Sequence, residues 1–181
     1  MRTLYPFHGG VHPADHKSES TQAGIAVAPL PQRLVVSLFQ HRGSPAKPVV
    51  AVGEHVLKGQ RIGAAEGMIS SSVHAPSSGR ITAIEMHPAP HHSGLPDLSI
   101  VLETDGEERW IERQPMDYCA IDPSGLRQHL QDMGVVGLGG AAFPSHVKLN
   151  ANHLETLVIN AAECEPYITC DDMLMRERAA E

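Results

Sequence analysis

Gly137-Leu138-Gly139-Gly140-Ala141-Ala142-Phe143-Pro144-Ser145-His146-Val147-Lys148-Leu149 sets three glycines within four residues and follows them with a lysine. Glycines carry no β-carbon, so their backbone N–H groups can come close to an anion, and a following lysine adds point charge. Upstream, Asp122-Pro123-Ser124 opens a helical pattern in which Leu126, Leu130 and Met133 share a face and Gly134 closes it. Downstream, Leu157-Val158-Ile159 reads as a buried strand running into Asn160-Ala161-Ala162-Glu163-Cys164-Glu165-Pro166-Tyr167. A polar cluster beyond the carboxyl end of a strand is where open α/β sheets bind ligands. Residues 122–181 therefore read as the beginning of an α/β domain. The loop is neither a G-x-G-x-x-G fingerprint nor a Walker A motif, so generic motif matching leaves a plain connecting loop open as the alternative.

Residues 30–104 follow a different rhythm. Short β-prone runs at 34–38, 48–52, 60–64, 79–85 and 98–103 are punctuated by Gly and Pro, the pattern of an all-β sandwich or barrel. Two turns within it, Val52-Gly53-Glu54-His55-Val56-Leu57-Lys58-Gly59-Gln60 and Ser72-Val73-His74-Ala75-Pro76-Ser77-Ser78-Gly79-Arg80-Ile81, resemble those that flank the modified hairpin of biotinyl/lipoyl carrier domains. Such carriers need a lysine at the hairpin tip, because its amine forms the amide to the prosthetic group. The tip here is Glu66-Gly67-Met68-Ile69-Ser70-Ser71-Ser72, without lysine, and Lys58 lies in the first turn. A barrel-sandwich hybrid without swinging-arm chemistry is expected, serving as a docking or spacer module.

Residues 1–29 are rich in Gly, Pro, His and Ser and read as an extended arm packed along the following domain or a partner. His8, His12 and His16 have helical spacing, but Gly9-Gly10 and Pro13 oppose a helix, which favours solvated histidines over a metal site. His87-Pro88-Ala89-Pro90-His91-His92 reads as an exposed loop, with metal binding as the alternative. The polar stretch 105–121 is a candidate linker, and Trp110 within it, the one tryptophan, is expected to plug a seam.

The chain of 181 residues is 41% hydrophobic but only 4% aromatic, so its core must be aliphatic. A formal charge of −7 without a basic patch excludes nucleic acid as a natural partner. No apolar run approaches the ~20 residues that span a bilayer, and Met1-Arg2-Thr3-Leu4-Tyr5-Pro6 lacks the apolar core of a signal peptide. Cys119, Cys164 and Cys170 are widely spaced and suggest neither a disulfide framework nor a metal cage.

GLGGAAFPSHVKL (137–149) and VINAAECEPYITCDDMLM (158–175) resemble the flavin-binding segment of the RnfC family, the NADH-facing subunits of Rnf electron transport complexes. They are similar, more distantly, to the flavoprotein subunit of respiratory complex I. Gly10-Val11-His12-Pro13, Gln40-His41-Arg42-Gly43-Ser44-Pro45 and His74-Ala75-Pro76-Ser77-Ser78-Gly79 extend the Rnf resemblance over essentially the whole chain. It implies FMN as cofactor and NADH as substrate. Gly137, Gly139 and Gly140 match the loop whose backbone approaches the flavin, and Lys148 matches the lysine after it. Asn160, Glu163 and Glu165 match the string lining the isoalloxazine and nicotinamide pocket. Ala142 stands where many relatives have a further glycine, and Ala162 and Cys164 replace an Asp and a Gly of the complex I string.

The resemblance also implies two [4Fe–4S] clusters in the full-length family. Their Cys-x-x-Cys repeats do not occur in this sequence, so an N-terminal piece of a longer protein is expected. The implied partners are the other Rnf subunits, and the implied place is peripheral, on the cytoplasmic face of the bacterial inner membrane. The implied activity is electron input from NADH through FMN to the clusters of an ion-translocating NADH:ferredoxin-type oxidoreductase. A cobalamin-reductase-like flavoprotein and a non-catalytic docking module remain alternatives.

Overall fold

Strand-forming residues with alternating burial begin the ordered architecture at Arg33. The computed structural model describes residues 8–11, 13–90, 93–139, 141–150, 155–156 and 158–180. Two compact units emerge, one formed by 29–154 and the other by 1–28 together with 155–181.

In the larger unit, β1 (Arg33–Ser37), β7 (Pro96–Thr104), β6 (Gly79–Pro88) and β3 (His55–Val56) form an antiparallel sheet in the order β1-β7-β6-β3. A second antiparallel sheet runs β2 (Lys47–Pro48), β4 (Arg61–Ala64), β5 (Val73–His74). The two curled sheets make the barrel-sandwich hybrid expected from the turn spacing. Their inner faces supply an aliphatic core: Val36, Leu38, Ala46, Val56, Ile62, Val73, Ala75, Ile81, Ile100 and Leu102. Leu38, Ile62, Ile81, Ile100 and Leu102 are fully buried, each contributing roughly 1.5–3 kcal/mol of transfer free energy.

The β6–β7 hairpin is longer than its sequence suggests. Pairing continues to His87↔Asp97 and Pro88↔Pro96, which puts His87 and Pro88 in the strand and not in a loop. His87 Nε2 lies 3.1 Å from Glu85 Oε1 on the same face. His91 and His92 lie outside the described residues. Trp110 packs back on the barrel, where Lys58 and Trp110 form a parallel bridge and Gly59 lies against the indole. Lys58 and Arg113 sit 5.2 and 4.6 Å from its ring centre.

After the barrel, a 3₁₀ turn (Tyr118–Ala120) leads into α2 (Pro123–Asp132). Asp122 caps α2 by accepting from the Ser124 N–H at 3.1 Å, with Pro123 in the first turn. Gly134 ends the helix in the left-handed region, with φ 74°. The short helix α3 (Ser145–Lys148) follows the glycine loop. In the smaller unit, α1 (Lys17–Ser20) packs with the segment leading to α4 (Cys170–Glu177). Tyr167 N donates to Asp15 O at 2.9 Å, and the His16 and Tyr167 rings stack at 4.6 Å. The segment expected as a buried strand does not form one at the described positions. Val158 and Ile159 are 79% and 78% exposed and have no strand beside them, and a strand exists only with a neighbour. No helix among the described residues is long and apolar enough to cross a membrane.

His74 marks the junction of barrel and α2. Its ring lies against Gly134, near Arg61 of β4 and the Asp132 backbone. Burial lowers its pKa below 6.5 and Arg61 lowers it further, while Asp132 pulls the other way. The folded state thus favours the neutral ring, and this contribution is complete above 6.5 and lost as pH falls below it. We expect the melting temperature to fall by a few degrees, roughly, between neutral pH and pH about 5.5. His74→Gln should flatten that slope, and an unchanged slope would assign the dependence elsewhere.

Candidate functional site

The glycine loop is a closed turn mounted between α2 and α3. Val136 bridges Pro144, Gly137 N donates to Phe143 O at 2.9 Å, and Ser145 N donates to Val135 O at 3.0 Å. Inside it, Ala142 N donates to Gly139 O at 2.9 Å. Ala142 has φ 41°, left-handed backbone that a glycine would adopt without its steric cost. Lys148 returns over the loop: a β-carbon on Gly137 would stand 2.8 Å from its Nζ, which also lies 6.0 Å from the Phe143 ring centre. Gly139 has open space around it. The amides of Leu138 and Gly139 donate to no other described residue. An ammonium group, undirected amides and a bare backbone suit an anionic, phosphate-bearing ligand. The structure thus brings Gly137, Gly139 and Lys148 together, and Gly140 lies outside the described residues.

On the loop's barrel side is a cleft of about 960 Å³. Phe39, Arg42 and Asp97 line it together with Ala141, Ala142 and Phe143. Arg42 N donates to Ala142 O at 3.1 Å, tying barrel to loop. The part played by residues 39–42 was missed from sequence. The only pointer was the Gln40-His41-Arg42-Gly43-Ser44-Pro45 string, about 100 residues away from the loop it meets.

Asn160, Glu163 and Glu165 belong to the smaller unit. Asn160 Oδ1 accepts from Ala162 N at 2.9 Å, a local turn contact. Glu163 accepts from the N–H groups of Asp171 and Asp172 at 2.7 and 3.3 Å, so its carboxylate caps α4 from outside the helix. Glu165 contributes its backbone carbonyl to Lys17 Nζ at 2.8 Å, leaving its side chain exposed. Glu163, Cys170 and Asp171 place their donor atoms within 4.8 Å of one another. The Cys170 thiol donates to Glu163 at 3.5 Å, and desolvation followed by that carboxylate pushes its pKa up. A protonated thiol beside a carboxylate already taken up by two amides reads as a capping arrangement, not a metal centre.

Residues 5–107 match the family described as the RnfC barrel sandwich hybrid domain. Residues 130–181 match the Nuo51 FMN-binding domain. The chain is 50% identical over 185 residues to the RnfC-type subunit of the ion-translocating oxidoreductase complex of Pseudomonas aeruginosa, covering 100% of this chain and 24% of that protein. It is 46% identical over 179 residues to the protein of the same name from Serratia proteamaculans, covering 97% and 25%. The Yersinia enterocolitica protein is 46% identical over 181 residues, with 98% and 26% covered. The chain spans about a quarter of the length of these curated relatives.

Proposed function

Because this chain belongs to the RnfC family, we propose that it forms the N-terminal part of the electron-input subunit of an ion-translocating oxidoreductase complex. In this reading NADH is the electron donor, and FMN is held at the glycine loop. Iron–sulfur clusters in the rest of the family's length receive the electrons. Bound FMN would accept a hydride and release electrons singly, chemistry that belongs to the cofactor. What carries the proposal is Lys148 folded back over Gly137, beside amides with no other described partner, within the segment that matches an FMN-binding domain.

In this proposal Lys148 neutralises the phosphate or the negative charge of reduced flavin. Gly137, Gly139 and Gly140 keep β-carbons out of the approach. Asn160 offers an amide that can both donate and accept toward a ring edge, and Glu165 offers a carboxylate to ribityl hydroxyls or a nicotinamide amide. Glu163 acts by fixing the start of α4. The partners are the other Rnf subunits, and the place is peripheral, on the cytoplasmic face of the inner membrane. The docking-module reading is favoured by a specific observation, the local contacts that already occupy Asn160 and Glu163.

Titrating FMN into the chain and following fluorescence quenching decides between them. Saturable binding is expected, weakened roughly tenfold or more by Lys148→Ala through loss of a charge-assisted contact. Binding unchanged by that substitution would remove Lys148 from the site. Absence of binding would favour the docking module.

A further inference from the structure

We infer that the unmodified hairpin tip of the barrel, residues 66–72, is the seat that positions the glycine loop, with Gln131 and His146 as its positioning residues. The effect on flavin rests on the function proposed above, whereas the seat itself rests on contacts within the larger unit. In a carrier domain the tip must stay free, since the arm attached to it travels. Here each residue from Gly67 to Ser72 is held by a group outside the tip.

Gln131, near the end of α2, makes most of these bonds. Its side-chain amide donates to Gly67 O and Ser70 O, both at 3.2 Å. Its own carbonyl accepts from Ser72 N at 3.1 Å and from Ser71 Oγ at 3.4 Å. From α3, His146 Nε2 donates to Met68 O at 3.0 Å. On the barrel side Ser44 N donates to Ile69 O at 2.9 Å, Ser70 Oγ donates to Ser44 O at 2.9 Å, and the His41 ring meets Ser71 O at 2.9 Å. Ser70 and Ser71 are consequently fully buried. These partners satisfy an irregular backbone that would otherwise need water.

The seat bears on the candidate site because α3 is a single turn. His146 anchors that turn to Met68, and two residues later Lys148 reaches Gly137. His146 Nδ1 is buried without a partner, a cost the Met68 bond must offset. The ring's placement therefore serves that bond. On the other side of the loop, α2 is pinned by Gln131 just before Gly134 opens the approach to residues 135–137. Both ends of the glycine loop are thus referenced to the same hairpin tip.

Amide hydrogen exchange and FMN titration of the full chain test this, comparing wild type with Gln131→Ala, His146→Ala and His146→Gln. Both alanine variants should exchange roughly tenfold faster over 135–149 while β6 and β7 stay protected, and should bind FMN several-fold more weakly, roughly. His146→Gln, whose side-chain nitrogen can occupy the Nε2 position, should restore both. Unchanged exchange over 135–149 in the alanine variants would overturn the inference, as would a glutamine variant no better than alanine. If wild type binds no FMN, the flavin reading fails and the exchange comparison alone decides the seat.

Discussion

Gly43→Ala is expected to cost on the order of 4 kcal/mol, a large part of the 5–15 kcal/mol that holds a typical domain. Gly43 has φ 106°, and a β-carbon there would stand 2.0 Å from Ile69 O and 2.8 Å from the Ile69 carbonyl carbon. Those are backbone atoms, and they cannot easily give way. The same Ile69 carbonyl accepts from Ser44 N, and Ser44 O accepts from Ser70 Oγ. Relief would break the contact that holds the tip, so strain and lost hydrogen bonds add. Gly106→Ala is the control: its φ of 78° carries backbone strain, but nothing lies within 4 Å. It should cost about 1 kcal/mol. Urea midpoints of the two variants separate steric conflict from conformational preference, and equal costs would refute the packing assigned to Gly43.

Leu102→Ala should destabilise by roughly 2–5 kcal/mol. Leu102 is fully buried and pairs with Leu34 of β1 on one side and Ile81 of β6 on the other, so truncation opens a cavity where three strands meet. Both neighbouring strands are held by continuous ladders, which limits collapse into the space. Leu98, on the same strand, is 38% exposed and should cost less than half as much when truncated. Similar unfolding midpoints for the two variants would mean that the core does not lie between the sheets as described.

The barrel was legible because its turns are written locally. Gly53 and Gly59 bracket one turn, Ala75-Pro76-Ser77-Ser78-Gly79 forms the other, and aliphatic residues alternate between them. Helix α2 was legible for the same reason, from Asp122, Pro123 and Gly134. The strand extension through Pro88 was hidden, because a proline-rich stretch reads as a loop until Pro96 is known to lie opposite. The serine run 70–72 looks like solvated loop composition, yet its partners come from residues 41, 44 and 131. In the candidate site, the glycine–lysine pairing could be read from spacing within a short segment. The capping role of Glu163 was less visible, since Thr169 precedes the helix and the capping carboxylate arrives from six residues earlier. The support from Arg42 depends on a contact spanning about 100 residues, which no local pattern encodes.

The pairing of residues 1–28 with 155–181 sets an order of events during synthesis. Lys17 and Ile25 leave the ribosome well before their partners Glu165, Ile168 and Glu177, which follow them by 148 to 152 residues. At roughly 5–20 residues per second, that gap lasts on the order of ten seconds. The barrel, with all its strands between Arg33 and Thr104, can close within that interval. The nascent chain therefore carries a finished barrel behind a free leading tail, and during that interval Val11 and Val27 are open to chaperones and proteases.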